Sequence, residues 1–341
     1  MEEKKELKKG LTTGAHSYLL FCDALRAFLD SKKLSIHKIN KMDNDDLDVT
    51  KGCEIVVSIS DKLDDLTLNS IDHQPSIFEI GSNRLSLYAG EGVGIVTKKG
   101  LKIAPNFAAI NPRPRDGIFE VFEEITKGYE NLDLKCTISV TNGIEIAKQT
   151  ANAKVGVLGG ISILGTKGIV KPVSSSAYID SVKTEIEFAV QNGYETLYFT
   201  LGNSAFGVAK KHASEEAIVE IGNFVYDSIK IAGEQKAKEV VFLCGIGKMT
   251  KVYQEFKNTH NRFGTIDFIQ LKKDIKDELA YEVDIESTLT VKGISQELEK
   301  HGLLDKFYEI ITIRANEVIK KWHPEARVKA IILEQKEVLG W

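Results

Sequence analysis

The chain has 341 residues, of which 43% are hydrophobic and 28% are charged, and its formal net charge at pH 7 is −4. This composition is typical of a globular protein, and at about 150 residues per domain the length predicts two domains. No segment approaches the roughly 20 apolar residues of a membrane span, and the charge argues against a nucleic-acid binder, which needs a basic surplus.

The segment before residue 10 is charged instead of apolar, which is unlike a secretion signal and favours the cytoplasm. The chain has four cysteines that lie far apart and include no Cys-x-x-Cys pair, namely Cys22, Cys53, Cys136 and Cys244. We therefore expect separate reduced thiols, with no zinc site and no redox pair. The oligomeric state is left open, and a homo-oligomer is compatible with the sequence.

The first predicted helix covers residues 15–29 and follows Thr12, Thr13 and Gly14. One of the two threonines is expected to cap it. Alternatively, the backbone N–H groups at this helix start hold an anion. The acidic cluster at residues 43–48 precedes a predicted strand at 54–60, and it is either a solvated turn or a cation site without the calcium-loop spacing.

Glycine recurs at every second position in the segment 88–97 (YAGEGVGIVT). This spacing is not the Gly-x-Gly-x-x-Gly of dinucleotide sites. Alternate glycines in a strand instead let a ligand or another backbone segment approach closely. The loop predicted at residues 111–115 (NPRPR) carries Arg113 and Arg115, and its prolines favour rigid capture of carboxylate or phosphate, although a solvated basic face explains it equally well.

The segment 155–170 (VGVLGGISILGTKGIV) predicts a strand at 154–158, buried on both faces, followed by a glycine-rich turn and a helix at 174–192. Its GISILGTK stretch resembles a P-loop, but Thr166 and Lys167 stand in reversed order, which argues against phosphoryl transfer. From residue 153 onward strands and helices alternate, so we place the domain boundary after Asn152. We expect an α+β domain over residues 1–152 and a Rossmann-like α/β domain with a mainly parallel sheet over 153–341.

Further strands are predicted at residues 195–201, 217–221 and 239–244, and each one ends in a turn that contains glycine. The carboxyl ends of parallel strands meet at one sheet edge, where ligands bind. His260 follows these elements and is either an acid, a base or a ligand-binding residue, or the cap of a short turn. Helices at 294–300 and 306–321 and a strand at 328–333 are expected to close the domain.

The sequence contains no Gly-x-Ser-x-Gly nucleophile motif, and a glycine-rich edge with scattered lysines suits methyl transfer from S-adenosylmethionine, whose sulfonium is already activated. Several segments together resemble the cobalt-precorrin-5B C1-methyltransferase family of anaerobic cobalamin biosynthesis. They are residues 11–14, 45–46 with 48–50, 90–97, 109–112 with 114–115, 145–148, 159–166 with 168–170, Gly202-Asn203, Asn223-Phe224, Gly247-Lys248 and 258–260.

The resemblance implies methylation of ring carbon 1 of cobalt-precorrin-5B, a polycarboxylated cobalt tetrapyrrole, to give cobalt-precorrin-6A. On this reading S-adenosylmethionine binds Gly159, Gly160, Ser162, Gly165, Thr166, Gly202, Asn203, Gly247 and Lys248. The tetrapyrrole binds Thr12, Thr13, Gly90, Glu91, Gly92, Gly94, Arg113 and Arg115, and His260 is the catalytic candidate. The substrate carboxylates would be neutralised by Arg113, Arg115, Lys98, Lys167 and Lys248.

The cobalt would arrive with the substrate, so no metal site in the protein is expected. Two alternatives remain. A non-catalytic tetrapyrrole-binding relative is suggested by departures from the family pattern, such as Ala15-His16-Ser17 after the Thr-Thr-Gly motif. A nicotinamide-dependent oxidoreductase on a similar sheet is disfavoured because the chain lacks the dinucleotide fingerprint.

Overall fold

The computed structural model describes residues 10–43, 49–165, 169–170, 175–283 and 290–334. The chain divides into two compact units, residues 1–175 and residues 176–341, and each unit has a hydrophobic core. The predicted division after Asn152 therefore falls inside the first unit. Among the described residues, no helix is both long enough and apolar enough to cross a membrane.

The first unit contains helices and strands that cover most of its described length. The strands are β1 (Gly10–Leu11), β2 (Ser35–Asn40), β3 (Glu54–Ser60), β4 (Ser76–Ile80), β5 (Asn83–Ala89), β6 (Gly92–Val93), β7 (Ile95–Val96), β8 (Asp133–Val140), β9 (Val157–Leu158), β10 (Gly160–Ile161) and β11 (Ile169–Val170). The helices are α1 (Thr13–Ser31), α2 (Pro112–Ile125) and α3 (Gly143–Ala147).

The main sheet of this unit has the strand order β2-β3-β8-β5-β4 and is antiparallel except for the parallel pair β5 and β8. Successive side chains of a strand point to opposite faces, so the alternating apolar residues of β3 lie on one face. That face is buried, and the same core contains Phe21 of α1 and Phe122 of α2. The strand predicted at residues 54–60 is confirmed.

The prediction of a strand at residues 154–158, buried on both faces, is wrong. Only Val157 and Leu158 are in a strand, and the Leu158 side chain is 44% exposed. Residues 151–156 form turns instead, with the Val157 N–H donating to the Asn152 carbonyl over 2.8 Å. Strand β9 pairs antiparallel with β7, and β10 pairs parallel with β6, so this segment belongs to the first unit.

The second unit alternates helices and strands. Its strands are β12 (Thr196–Thr200), β13 (Ile218–Glu220), β14 (Glu239–Cys244) and β15 (Val328–Ile332). Its helices are α4 (Ser175–Gln191), which begins at the division, α5 (Asn203–Ala209), α6 (Val225–Glu234), α7 (Ile246–Tyr253), α8 (Phe268–Leu279), α9 (Val291–Lys300) and α10 (Leu304–Trp322).

These strands form a parallel sheet in the order β13-β12-β14-β15. Both faces of the sheet are covered, because Val240 and Phe242 belong to one hydrophobic cluster and Val241 and Leu243 to another. Burial on both faces explains why β14 reads as a continuous apolar run. The predicted alternation of helices and parallel strands is confirmed for this part of the chain.

Candidate functional site

The carboxyl edge of the parallel sheet contains a topological switch point. The connection from β12 leads to β13 on one side, and the connection from β14 leads to β15 on the other, so the crevice lies between β12 and β14. Gly202 and Asn203 follow β12, and Gly247 and Lys248 stand in the first turn of the helix after β14. Four of the predicted cofactor residues therefore lie on the two sides of this point.

A hydrogen-bonded cluster around two lysines of α7 lies beside this edge. Lys248 Nζ donates to Asn223 Oδ1 over 2.9 Å and to the Thr259 carbonyl over 3.0 Å. Thr259 Oγ1 also donates to Asn223 Oδ1 over 2.9 Å. Three separate segments of the family resemblance, those with Asn223, Lys248 and Thr259, thus meet in one network.

Lys251 forms the second half of the cluster and is only 4% exposed. Its ammonium donates to the Thr259 carbonyl over 3.2 Å, to Asn261 Oδ1 over 2.9 Å and to the Gly264 carbonyl over 2.9 Å. These acceptors are neutral, so they satisfy the donors of the ammonium without balancing its charge. The lysine fixes the segment after Lys257 against α7.

Both lysines are less basic than a solvated lysine. Burial lowers the pKa of Lys248. Burial also lowers the pKa of Lys251, and the nearby charge of Lys248 lowers it further. Within the described residues neither lysine forms an ion pair with a carboxylate. A cation without a partner charge beside a cavity favours an anionic ligand.

The cluster lines a cavity of about 500 Å³, which is within the usual size range of small-molecule sites. Its charged lining groups are Lys248, Lys251, Lys292 and Glu334, and apolar walls come from Ile246, Ile266, Phe268 and Val291. The Glu334 carboxylate accepts a hydrogen bond from the backbone N–H of Ile246 over 3.3 Å. An elongated ligand with both charged and apolar parts suits such a lining.

The catalytic candidate His260 is exposed and caps a short 3-10 helix, Asn261–Phe263. Its Nδ1 accepts the backbone N–H of Arg262 over 3.1 Å, which leaves Nε2 to carry the proton of the neutral ring. Of the roles predicted for His260, the structure therefore shows the cap of a short turn. Cys244 is buried and burial raises the pKa of its thiol, so it is not an activated nucleophile.

In the first unit, the start of α1 is joined to the segment at Leu164. Thr12 caps the helix by accepting the Ala15 N–H over 3.1 Å, which confirms the predicted cap. The Gly14 N–H donates to the Leu164 carbonyl over 2.8 Å, and Thr13 Oγ1 accepts the Leu164 N–H over 2.9 Å. Because these groups have protein partners, the arrangement does not support an anion on this helix start.

Arg113 and Arg115 lie in the first turn of α2, so their assignment to a loop is wrong. The first N–H groups of a helix have no intrahelical acceptor, and prolines at Pro112 and Pro114 are therefore tolerated there. Arg113 is 69% exposed and lies 4.0 Å from Glu120, whereas Arg115 pairs with Asp116 at 3.2 Å. Arg113 lines a cavity of about 360 Å³ together with Thr12, Gly14, Tyr18, Pro114 and Gly165.

The glycines of the 88–97 segment accommodate other backbone. A side chain at Gly92 would place its Cβ 2.0 Å from the Val140 carbonyl oxygen, and one at Gly160 would lie 2.2 Å from the Gly92 carbonyl oxygen. Gly90 and Gly94 are also crowded, by Ser139 and by Val157 with Gly160. Of the two alternatives for these glycines, the structure favours close approach of the chain itself.

The other predicted residues of the 159–166 turn also contact the first unit. The Gly159 carbonyl accepts from Asn69 Nδ2 over 3.0 Å, and Ser162 Oγ donates to Asn152 Oδ1 over 3.4 Å. Gly165 lies against Thr12. Glu91 is exposed and its carbonyl accepts the Val140 N–H. The predicted cofactor set therefore has members in each of the two units.

Some predicted positions lie outside the described residues, namely Thr166, Lys167 and residues 44–48 of the acidic cluster. Lys98 is described, and its side chain lies beside Gly156. Across the described ranges, no group of three or more His, Cys, Asp or Glu residues is placed to hold a metal ion.

Lys251 and Glu334 are not predicted as site residues from the sequence. Lys251 is three residues after Lys248, and this spacing places both lysines on one face of α7. The spacing is the only local sequence feature that connects Lys251 with the site. Glu334 is near the site because β15 pairs with β14 across the sheet. That contact joins residues about ninety positions apart and leaves no local pattern in the sequence.

Comparison with known proteins gives three informative similarities. The CbiD family model matches residues 24–172. A cobalt-precorrin-5B C(1)-methyltransferase from Methanococcus maripaludis is 32% identical over 91% of this chain and 83% of its own length. The same enzyme from Methanocaldococcus jannaschii is 31% identical over 99% of this chain and 97% of its own length.

Among solved structures, the crystal structure of the cobalamin biosynthesis protein CbiD from Archaeoglobus fulgidus is 22% identical to this chain. The match covers 69% of this chain and 76% of that chain, with a TM-score of 0.34.

Proposed function

The chain belongs to the cobalt-precorrin-5B C(1)-methyltransferase family, and we propose that it catalyses the reaction for which its relatives are named. The observation that carries the proposal is similarity to these enzymes over nearly the whole chain, through both units. The relatives also confirm the resemblance inferred from the motifs. The substrate is then cobalt-precorrin-5B, the product is cobalt-precorrin-6A, and the cobalt enters with the tetrapyrrole.

The methyl donor in this proposal is S-adenosylmethionine, which supplies an activated methyl group when bound. We assign it to the second unit, as a Rossmann-like domain, at the carboxyl edge of the parallel sheet. Gly247 and Lys248 line the cavity there, whereas Gly202 and Asn203 follow the neighbouring strand β12 and are not among its lining residues. The fit rests on the cavity of about 500 Å³ beside two lysines without carboxylate partners among the described residues. The protein would orient the donor and hold its charged groups while water is excluded by the apolar walls.

The tetrapyrrole is assigned to the first unit, around Thr12, Thr13, Arg113 and Arg115. Support comes from the cavity of about 360 Å³, which Thr12 and Arg113 line, and from the exposed guanidinium of Arg113, which suits a carboxylate of the substrate. Thr13 and Arg115 do not line this cavity. His260 stays in the proposal as the proton-handling residue, with Nε2 directed by the capping bond of Nδ1. Localisation to the cytoplasm stays a prediction from the sequence.

The function is tested by incubating the purified protein with cobalt-precorrin-5B and methyl-labelled S-adenosylmethionine. Transfer of the label to the tetrapyrrole, with release of one S-adenosylhomocysteine per methyl group, is expected. Binding of the tetrapyrrole without transfer would instead support the non-catalytic relative. A thermal-shift response to NAD(P) and none to S-adenosylhomocysteine would favour the oxidoreductase.

A further inference from the structure

Besides Lys251 and Lys292, the lining of the cavity in the second unit contains the ammonium of Lys248 and the carboxylate of Glu334, which do not form an ion pair with each other. We propose that they bind the zwitterionic amino-acid end of S-adenosylmethionine, with its carboxylate at Lys248 Nζ and its ammonium at the Glu334 carboxylate. This inference rests on the proposed function and deepens it, because it names the groups that hold one end of the methyl donor.

Lys248 has the chemistry that a ligand carboxylate requires. Its ammonium has three donors, and the structure gives two protein acceptors, Asn223 Oδ1 at 2.9 Å and the Thr259 carbonyl at 3.0 Å. Both acceptors are neutral, and no carboxylate of the described residues pairs with this lysine. A ligand carboxylate would satisfy the remaining donor and balance the charge through a charge-assisted hydrogen bond.

Glu334 provides the complementary acceptor. One of its oxygens accepts the Ile246 N–H over 3.3 Å, and a carboxylate has about four lone-pair sites, so acceptor capacity remains. Its other oxygen would lie 3.4 Å from a Cβ at position 245, where the chain has glycine. This is an ordinary van der Waals distance, so the carboxylate lies close to the end of β14.

The opposite charges distinguish this ligand from the tetrapyrrole. The side chains of the tetrapyrrole are carboxylates, which Glu334 would repel, whereas an α-amino acid carries both signs on one carbon. Lys251 is not assigned to the ligand, because its three donors are already engaged by Thr259, Asn261 and Gly264. It is a positioning residue that holds the segment containing Thr259, an acceptor of Lys248.

The test compares two ligands by calorimetry on the full-length protein. S-adenosylhomocysteine carries the amino-acid end, and 5′-methylthioadenosine keeps the adenosine and the thioether without it. Lys248→Gln and Glu334→Gln should each weaken S-adenosylhomocysteine binding roughly tenfold or more, since each removes a charge-assisted bond. Both variants should leave the affinity for 5′-methylthioadenosine within about twofold of the wild type.

Controls separate this effect from unfolding. Lys248→Arg keeps the charge and should retain more affinity than Lys248→Gln, and Lys230→Gln removes an exposed lysine of α6 that pairs with Glu234. An equal loss for both ligands, or no loss for either, would overturn the inference. So would an unchanged affinity for S-adenosylhomocysteine with a raised KM for cobalt-precorrin-5B, which would assign Lys248 to the tetrapyrrole.

The wild-type protein distinguishes failure of this inference from failure of the proposed function. If the wild type transfers methyl and both variants bind S-adenosylhomocysteine with normal affinity, only the assignment of Lys248 and Glu334 is refuted. A wild type that neither binds S-adenosylhomocysteine nor transfers methyl would refute both.

Discussion

Lys251 shows how a buried charge can serve structure instead of chemistry. It connects α7 to the 259–264 segment through two backbone carbonyls and the Asn261 side chain. Asn223, Lys248 and Thr259 lie in recognisable motifs of the sequence, whereas this lysine does not. Every residue has a backbone carbonyl, so the residue types in the sequence do not show which carbonyls a buried lysine will bind.

The low pKa of Lys251 gives a testable pH dependence. Burial holds its pKa below the ordinary 10.5 in the folded protein, so between that lowered value and 10.5 the unfolded chain binds more protons. The stabilisation of the wild type relative to Lys251→Met should therefore increase as pH rises through this window. Urea unfolding of both proteins, from neutral pH to 10.5, measures the difference.

Lys251→Met should also cost about 1–3 kcal/mol at neutral pH, because it leaves buried carbonyls without donors. A relative stability that falls as pH rises would contradict the burial of this charge. Lys230→Gln is the control, since its partner Glu234 and its own side chain are both exposed.

Gly92 gives a second residue-scale prediction. Its φ is +78°, and a Cβ there would lie 2.0 Å from the Val140 carbonyl oxygen. Gly92→Ala combines an unfavourable backbone conformation with a steric clash, so it should destabilise the protein by about 3 kcal/mol or more. Denaturant unfolding gives this value directly.

Gly117 is the matched control for Gly92. It lies inside α2, and a Cβ added at this position would meet no other atom within 4 Å, so Gly117→Ala should be neutral or stabilising by about 0.5–1 kcal/mol. Equal destabilisation by both substitutions would show that the surroundings of Gly92 are not as tight as described.

At the scale of elements, patterns were reliable where packing follows directly from sequence. The alternation in β3 and the continuous apolar run in β14 both predicted strands, because burial on one or two faces sets these patterns. The apolar run at residues 154–158 has the same appearance but lies in turns and a two-residue strand. An apolar run alone does not show which elements will pack against it. In addition, Gly156 has a φ of +72°, which interrupts an extended strand.

The start of α2 shows a related limit. Prolines at 112 and 114 favour a loop when read locally, yet both fit the first turn of a helix, where no N–H is needed. The choice depends on residues 116–125, whose apolar positions Ile118 and Phe122 are buried at helical spacing. Helix start signals were more informative at α1, where Thr12 caps as predicted.

The cap of α1 can be tested by substitution. Thr12→Ala removes the acceptor of the Ala15 N–H and should lower the free energy of unfolding by about 1 kcal/mol. Thr12→Ser keeps the hydroxyl and should stay close to the wild type. Urea unfolding of the three proteins would contradict the capping role if both variants were equally destabilised.

At the scale of the whole molecule, the predicted cofactor residues separate between two units. Gly159, Gly160, Ser162 and Gly165 belong to the first unit, while Gly202, Asn203, Gly247 and Lys248 belong to the second. The sequence predicts one cofactor set from both groups because glycine marks both ligand approach and backbone approach. The space beside Gly160 is filled by the backbone of Gly92, a contact that only the folded chain reveals.

The proposed assignment of the two ligands to different units predicts that substitutions in each unit affect a different ligand. Arg113 is 69% exposed, and its acidic partner Glu120 is 4.0 Å away and equally exposed, so a substrate carboxylate can displace that weak pair. Arg113→Gln should raise KM for cobalt-precorrin-5B by roughly threefold to tenfold and leave the affinity for S-adenosylhomocysteine unchanged. Steady-state methyl transfer and calorimetry measure the two quantities on the same protein.

Arg84→Gln is the matched control, because Arg84 is an exposed arginine of β5 paired with Glu79 in the same unit. It removes the same charge from the protein as a whole, so it should leave KM within about twofold of the wild type if only local contacts matter. An equal rise in KM for both variants would indicate general electrostatic attraction of a polyanion. A loss of S-adenosylhomocysteine affinity in Arg113→Gln would contradict the assignment of the two ligands to different units.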